Sequence, residues 1–79
     1  MTFARITIDP LILHGQPCIR GMRLPVHQIL DLLAASQTPE QILQAYPYLE
    51  REDITEAIEY AAWATREESV PLPPVPSSP

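Results

Sequence analysis

Three arginines around one glycine carry most of the chemistry that this sequence offers. Arg20-Gly21-Met22-Arg23 lies inside the stretch Pro17–Pro25, and Arg5 stands in the segment before it. Gly21 admits positive φ or a close backbone approach. Two guanidinium groups beside such a turn, just ahead of a helix start, can grip a phosphate or carboxylate, and the helix dipole favours an anion there. Arg5, Arg20, Gly21 and Arg23 are therefore the candidate nucleic-acid contacts. The same residues have a second reading, in which one arginine pairs with Asp9 or Asp31 and ties the loop to the body.

The remaining reactive side chains point away from catalysis. Cys18 sits between Pro17 and Ile19 in an apolar run, where a thiol is a small, inert core residue. His14 and His27 have no nucleophile or carboxylate at a telling spacing, and one cysteine with two distant histidines makes no zinc site. Glu52, Glu56 and Glu59 form acid pairs, but on a convex helix face, whereas a general acid–base pair needs a cleft. The expectation is a protein that is not an enzyme, with no cofactor, no metal and no small-molecule substrate.

These groups sit on a short acidic chain of 79 residues, with ten acids, five bases and a formal charge of −5. The charge is uneven. Residues 1–30 hold three arginines and one acid, for +2, and residues 31–79 hold two arginines and nine acids, for −7. Phosphate affinity rests on Lys and Arg, so an acidic outer face on the last helix would repel DNA. Any DNA contact is thus expected on the arm and loop rather than on a recognition helix. No apolar run is long enough to cross a membrane and no signal-peptide pattern opens the chain, so a cytoplasmic location without membrane contact is expected. A domain this small buries a modest core, which favours a homodimer.

The elements that must position the arginines follow from periodicity. Ala4, Ile6 and Ile8 alternate with Phe3, Arg5 and Thr7, which predicts a short strand ended by Asp9-Pro10. Pro17-Cys18-Ile19 is a second extended piece. Val26, Ile29, Leu30, Leu33 and Ala34 then share a helix face, predicting a first helix over Pro25–Ala35. Thr38-Pro39-Glu40 reads as a helix start, and the second helix runs on to Pro47. The third spans Arg51–Glu67, with Ile54, Ala57, Ile58, Ala61 and Thr65 inward.

On that face Tyr60 and Trp63 turn outward, as does Leu32 on the first helix. All three are read as partner or dimer contacts, or else Trp63 folds back over the N-terminal ribbon of its own chain. The predicted fold is all-α: a three-helix, homeodomain-like helix-turn-helix bundle (25–68) with a short N-terminal β ribbon and loop (1–24). Ser69–Pro79, with five prolines and no charge, is expected to be a disordered tail.

Ile8-Asp9-Pro10, then His14-Gly15-Gln16-Pro17-Cys18-Ile19-Arg20-Gly21-Met22-Arg23-Leu24-Pro25-Val26, then Tyr46-Pro47-Tyr48-Leu49 and Glu52-Asp53-Ile54 together resemble the domain of unknown function 433 family, over about residues 5–66. The resemblance implies a homeodomain-like bundle with a small β element in front. It also implies a VapB-like antitoxin of a prokaryotic type II toxin–antitoxin pair, which binds a PIN-like ribonuclease toxin and its own operator DNA. The chain departs from the family pattern at Gln16 (usually Lys or Arg), Met22 (usually Thr) and near Ser36 (usually Gly). The alternative is a protein-interaction module with no nucleic-acid role, built on Leu32, Tyr60 and Trp63; the −7 of residues 31–79 favours it.

Overall fold

The computed structural model describes residues 3–66, and the predicted tail lies outside them. In chain order the elements are β1 (Ile6–Ile8), β2 (Pro17–Ile19), α1 (Val26–Ala34), α2 (Pro39–Ala45) and α3 (Arg51–Arg66). β1 and β2 pair antiparallel with Ile6 opposite Ile19, Thr7 opposite Cys18 and Ile8 opposite Pro17. A further bridge joins Cys18 to Pro25, so the chain reaches α1 by folding back along β2.

The expectation of an all-α helix-turn-helix bundle is corrected by this sheet. Ile19 is fully buried and Cys18 is 2% exposed. Ile19 belongs to the same core as Leu24, Val26 and Ile29 of the loop and α1, Ile42 of α2, Leu49, and Ile54 and Ala57 of α3. A two-stranded ribbon is marginal alone. Here its inner residues fill the centre of the molecule, so the fold is a mixed one in which three helices and a β hairpin share a single core.

Local signals set the helix ends. Thr38 Oγ1 accepts from the Gln41 amide at 3.1 Å while Gln41 Oε1 accepts from the Thr38 amide at 2.8 Å, a reciprocal capping box that starts α2. At the end of α1, Ser36 adopts φ 69°. Its amide donates to Leu33 O and that of Gln37 to Leu32 O, both at 3.0 Å. This is a Schellman motif with serine in the left-handed position that glycine usually takes.

α3 is rotated from the expected face. Asp53, Ile54 and Ala57 are buried, whereas Ile58 is 48% exposed and Thr65 is exposed. Periodicity places a carboxylate outside, and burial of Asp53 turns the helix by about one position. That rotation brings Tyr60 onto the core margin.

Candidate interaction site

The loop between β2 and α1 opens with a tight reversal. Arg20 and Gly21 have φ of 45° and 72°, and the Met22 amide donates to Ile19 O at 2.8 Å. Two successive left-handed residues make a type I′ turn, which suits a twisted hairpin. Gly21 is needed for its φ and not for space, since a side chain there would meet nothing within 4 Å. The Gly21 amide donates to Thr7 Oγ1 at 2.7 Å and fastens the turn to β1. Arg20 is a side chain in a conformation that favours glycine or asparagine, and its partners hold it there.

Those partners lie at the start of α3. Arg20 Nε donates to Asp53 Oδ1 at 3.1 Å and Arg20 Nη2 to Asp53 Oδ2 at 2.9 Å, a bidentate pair. The same Nη2 donates to Tyr48 O at 2.9 Å. From the other side Arg5 Nη1 donates to Asp53 Oδ1 at 2.9 Å and to Glu50 Oε1 at 2.6 Å. The two arginines also meet through backbone, where the Arg20 amide donates to Arg5 O at 2.8 Å. The Arg5 amide donates to Glu56 Oε1 at 2.6 Å. Asp53 completes its shell by accepting from the Glu50 amide at 2.9 Å, so its carboxylate also caps α3.

Asp53 is fully buried, yet its carboxylate is held below the ordinary carboxylate range. Burial pushes its pKa up most strongly. Hydrogen bonds from Arg20, from the Glu50 amide and from Arg5 together outweigh that push. The same bonds raise both guanidinium pKa values, Glu50 then Asp53 acting on Arg5, and Asp53 on Arg20. No buried side-chain polar atom among the described residues lacks a partner. Both guanidinium groups are thus engaged by acids of the α3 start, while the Arg5 and Arg20 side chains keep 28% and 37% of their surface exposed. Neither arginine pairs with Asp9 or Asp31; the partner is on α3.

The other sequence-identified residues scatter. Arg23 is exposed and, among the described residues, has no ion-pair partner. Leu32 and Tyr60 are half-buried against the core. Phe3 packs edge-on against Tyr60 and Trp63, with ring centroids 5.3 and 5.7 Å away, and Tyr60 and Trp63 are 5.8 Å apart. Trp63 thus meets the N-terminal segment of its own chain. Cys18 is buried, its thiol donating to Gln16 O at 3.3 Å and pushed up in pKa by desolvation. His27 lies 3.3 Å from Asp31 on α1. Among the described residues no three His, Cys, Asp or Glu groups gather as a metal site, and no helix is long and apolar enough to cross a membrane.

Sequence reasoning missed Asp53, Glu50 and Phe3. One signal was present: an acid at the third position of a helix that follows a glutamate, where a side chain reaches back to the cap amide.

Two apolar features remain. Leu13, His14 and Gly15 have φ of 48°, 58° and 81°, a left-handed turn. With Asp9 Oδ1 accepting from the Leu11 amide at 2.9 Å, it holds Leu11 86% exposed beside Ile8, 62% exposed. An open apolar groove of about 270 Å³ lies between α1 and α3, with Val26 and Leu30 on one wall, Tyr60, Ala61 and Ala64 on the other, and Pro17 at one end.

Comparison with known proteins agrees with this architecture. A profile for a family described as a protein of unknown function, DUF433, matches residues 6–61. An uncharacterised protein, y4eO, of Sinorhizobium fredii (strain NBRC 101917 / NGR234) is 41% identical over 56 residues, which is 71% of this chain but 25% of that protein. The chain thus matches about a quarter of that relative's length. The crystal structure of a DUF433 member from Anabaena variabilis superposes with a TM-score of 0.73 at 28% identity, over 80% of this chain and 62% of that one. The matched residues run from β1 into α3 and include Arg20, Gly21 and Asp53, and on them the chain belongs to the DUF433 family.

Proposed function

We propose that this domain is a non-enzymatic protein-binding module of the antitoxin type, which engages a basic partner protein, a PIN-like ribonuclease toxin, through its acidic helical surface. The supporting observation is the internal use of Arg5 and Arg20. With Arg5 and Arg20 paired to Asp53 and Glu50, and the exposed Arg51 paired to Glu40, Glu52 and Glu59 stand exposed on α3 with no ion-pair partner among the described residues, and Arg66 is the one exposed cation of that helix outside an ion pair. Such a surface steers a cationic protein and repels a phosphate backbone. Catalysis has no support in the arrangement, because the acids outside the cluster stand apart on a convex face.

Coexpression with a PIN-like ribonuclease encoded beside it tests the reading. The two chains should co-purify and the nuclease should be silenced. Glu52→Lys with Glu59→Lys should break the complex while leaving the melting temperature unchanged. Co-purification that ignores both changes would overturn the charge argument. Operator DNA is the second ligand that the family resemblance suggests, and it would fall on Arg23, the loop arginine that has no ion-pair partner among the described residues. Binding through so few cations would be weak even at about 50 mM salt, with a shallow salt dependence. A titration showing a steep salt slope would restore the DNA reading.

A further inference from the structure

We propose that the open face between α1 and α3 is the interface of a homodimer, in which the α3 helices of two copies cross antiparallel near Ala62. The groove on that face is walled by Leu30 of α1 and by Tyr60, Ala61 and Ala64 of α3, and its lining is almost wholly apolar. Ile58 stands beside it. The core takes Ile54 of the same helix and leaves Ile58 48% exposed. At about 100° per residue, Ile58 shares its direction from the α3 axis with Thr65, which also lines the groove. Left in water, such a surface forgoes the gain of apolar burial.

The charges beside this face select a second copy as its occupant. Glu59 and Arg66 lie within about 20° of one another around α3, and roughly 100° from the direction of Ile58 and Thr65. Both are exposed and, among the described residues, neither has an ion-pair partner. The helix does not answer either charge at the spacing where side chains meet. Three and four residues from Glu59 stand Thr55, Glu56, Ala62 and Trp63, and on the preceding turn Arg66 has Ala62 and Trp63. One two-fold axis answers both. An antiparallel crossing near Ala62 exchanges Ile58 with Thr65 and, by the same rotation, Glu59 with Arg66. Such an axis keeps equivalent flanks on one side, so Glu59 of each copy faces Arg66 of the other, and an isologous contact forms that pair twice. A uniformly cationic partner would be drawn to Glu59 and repelled by Arg66. Ala61 and Ala62 at the crossing let the helix axes approach to about 8 Å, the near end of the range for packed helices. α1 lies on the opposite flank of α3, across Ala61 and Ala64, so Leu30 of each copy also turns toward the axis and the two grooves close on one another.

The inference does not rest on the antitoxin reading. Sedimentation equilibrium of the full chain, from micromolar to millimolar concentration, should show the mass rising from 8.9 kDa toward twice that value. Ile58→Asp should weaken association at least about tenfold, because it removes one central apolar anchor from each side of the contact. Two further variants leave apolar burial and the fold untouched, since both residues are exposed. Glu59→Arg sets like charges against Arg66 of the second copy and should weaken the dimer several-fold at low salt. Adding Arg66→Glu to that change should restore it. A monomer at every concentration would overturn the proposal and leave the groove to another occupant. A dimer indifferent to Ile58→Asp would overturn it by placing the contact elsewhere. A double variant that associates no more tightly than Glu59→Arg alone would overturn the antiparallel crossing.

Discussion

Asp53 is a buried carboxylate that serves two arginines and one helix start at once. Neutralising it removes charge-assisted hydrogen bonds from two arginines whose side chains are 28% and 37% exposed, so water offsets part of the loss and the cost is about 2–3 kcal/mol. A domain of this size has a total stability of about 4–10 kcal/mol. Asp53→Asn should therefore lose a substantial part of the stability, read as a clear fall in the urea midpoint. The depressed pKa adds a pH dependence. In the folded state the group binds its proton only below the ordinary range, so between that point and about pH 4 the unfolded state holds more protons and stability rises with pH. The contribution is complete above the ordinary carboxylate range and is lost as pH falls through the folded value. Equilibrium unfolding between pH 7 and pH 3 should show that loss in the parent and a flatter profile in Asp53→Asn. The two loop arginines separate in the same assay. Arg20→Ala should lower the melting temperature clearly, and Arg23→Ala should stay within about 0.5 kcal/mol of the parent, as exposed substitutions do. Composition made Arg5, Arg20 and Arg23 look alike. Their difference rests on an acid distant in sequence, and periodicity carries no information about such a pairing.

At the scale of elements, the caps and prolines were legible. The helix expected over Pro25–Ala35 is Val26–Ala34, and the one expected over Arg51–Glu67 is Arg51–Arg66 within the described residues. The starts follow from Thr38-Pro39 and from the acids at the head of α3, signals that act within one turn. The face of α3 was misread because the hydrophobic pattern assigns every carboxylate to solvent, and Asp53 breaks that rule with arginines from other elements. The same cause concealed the place of Tyr60, expected outward and found against Phe3, while Trp63 takes the second of its two expected places, against the N-terminal segment of its own chain. The expected all-α class failed for a related reason. Three-residue strands give little period to read, and their weight lies in Ile19, a core residue whose neighbours are all distant in sequence. One element prediction follows from Ser36. A non-glycine residue in the left-handed position costs about 1–2 kcal/mol, partly offset by the entropy that glycine loses on folding. Ser36→Gly should stabilise the domain by about 0.5–1 kcal/mol, raising the melting temperature by several degrees in calorimetry. Thr38→Ala, which removes the capping box of α2, should cost about 1 kcal/mol in the same measurement.

At the scale of the molecule, the Arg5–Arg20–Asp53 cluster joins the hairpin to α3, so ribbon and helices should unfold as one unit. Native-state hydrogen exchange should find the Arg20 amide, bonded to Arg5 O, opening at the same free energy as the core of α1. A much lower opening energy at Arg20 would show that the ribbon frays independently. The packing of Phe3 on Trp63, with ring centroids 5.7 Å apart, has a further consequence. The first and last described segments of the chain thus lie side by side. Such a body tolerates rewiring of its connectivity. A circular permutant that links the two ends through a short flexible segment, and opens the backbone at the exposed Ser36-Gln37 connection between α1 and α2, should fold to the same structure. It would keep every ion pair of the cluster, because none of those residues lies at the new cut. The domain is by the same geometry a body that can be set into a surface loop of a larger protein without prying that loop apart.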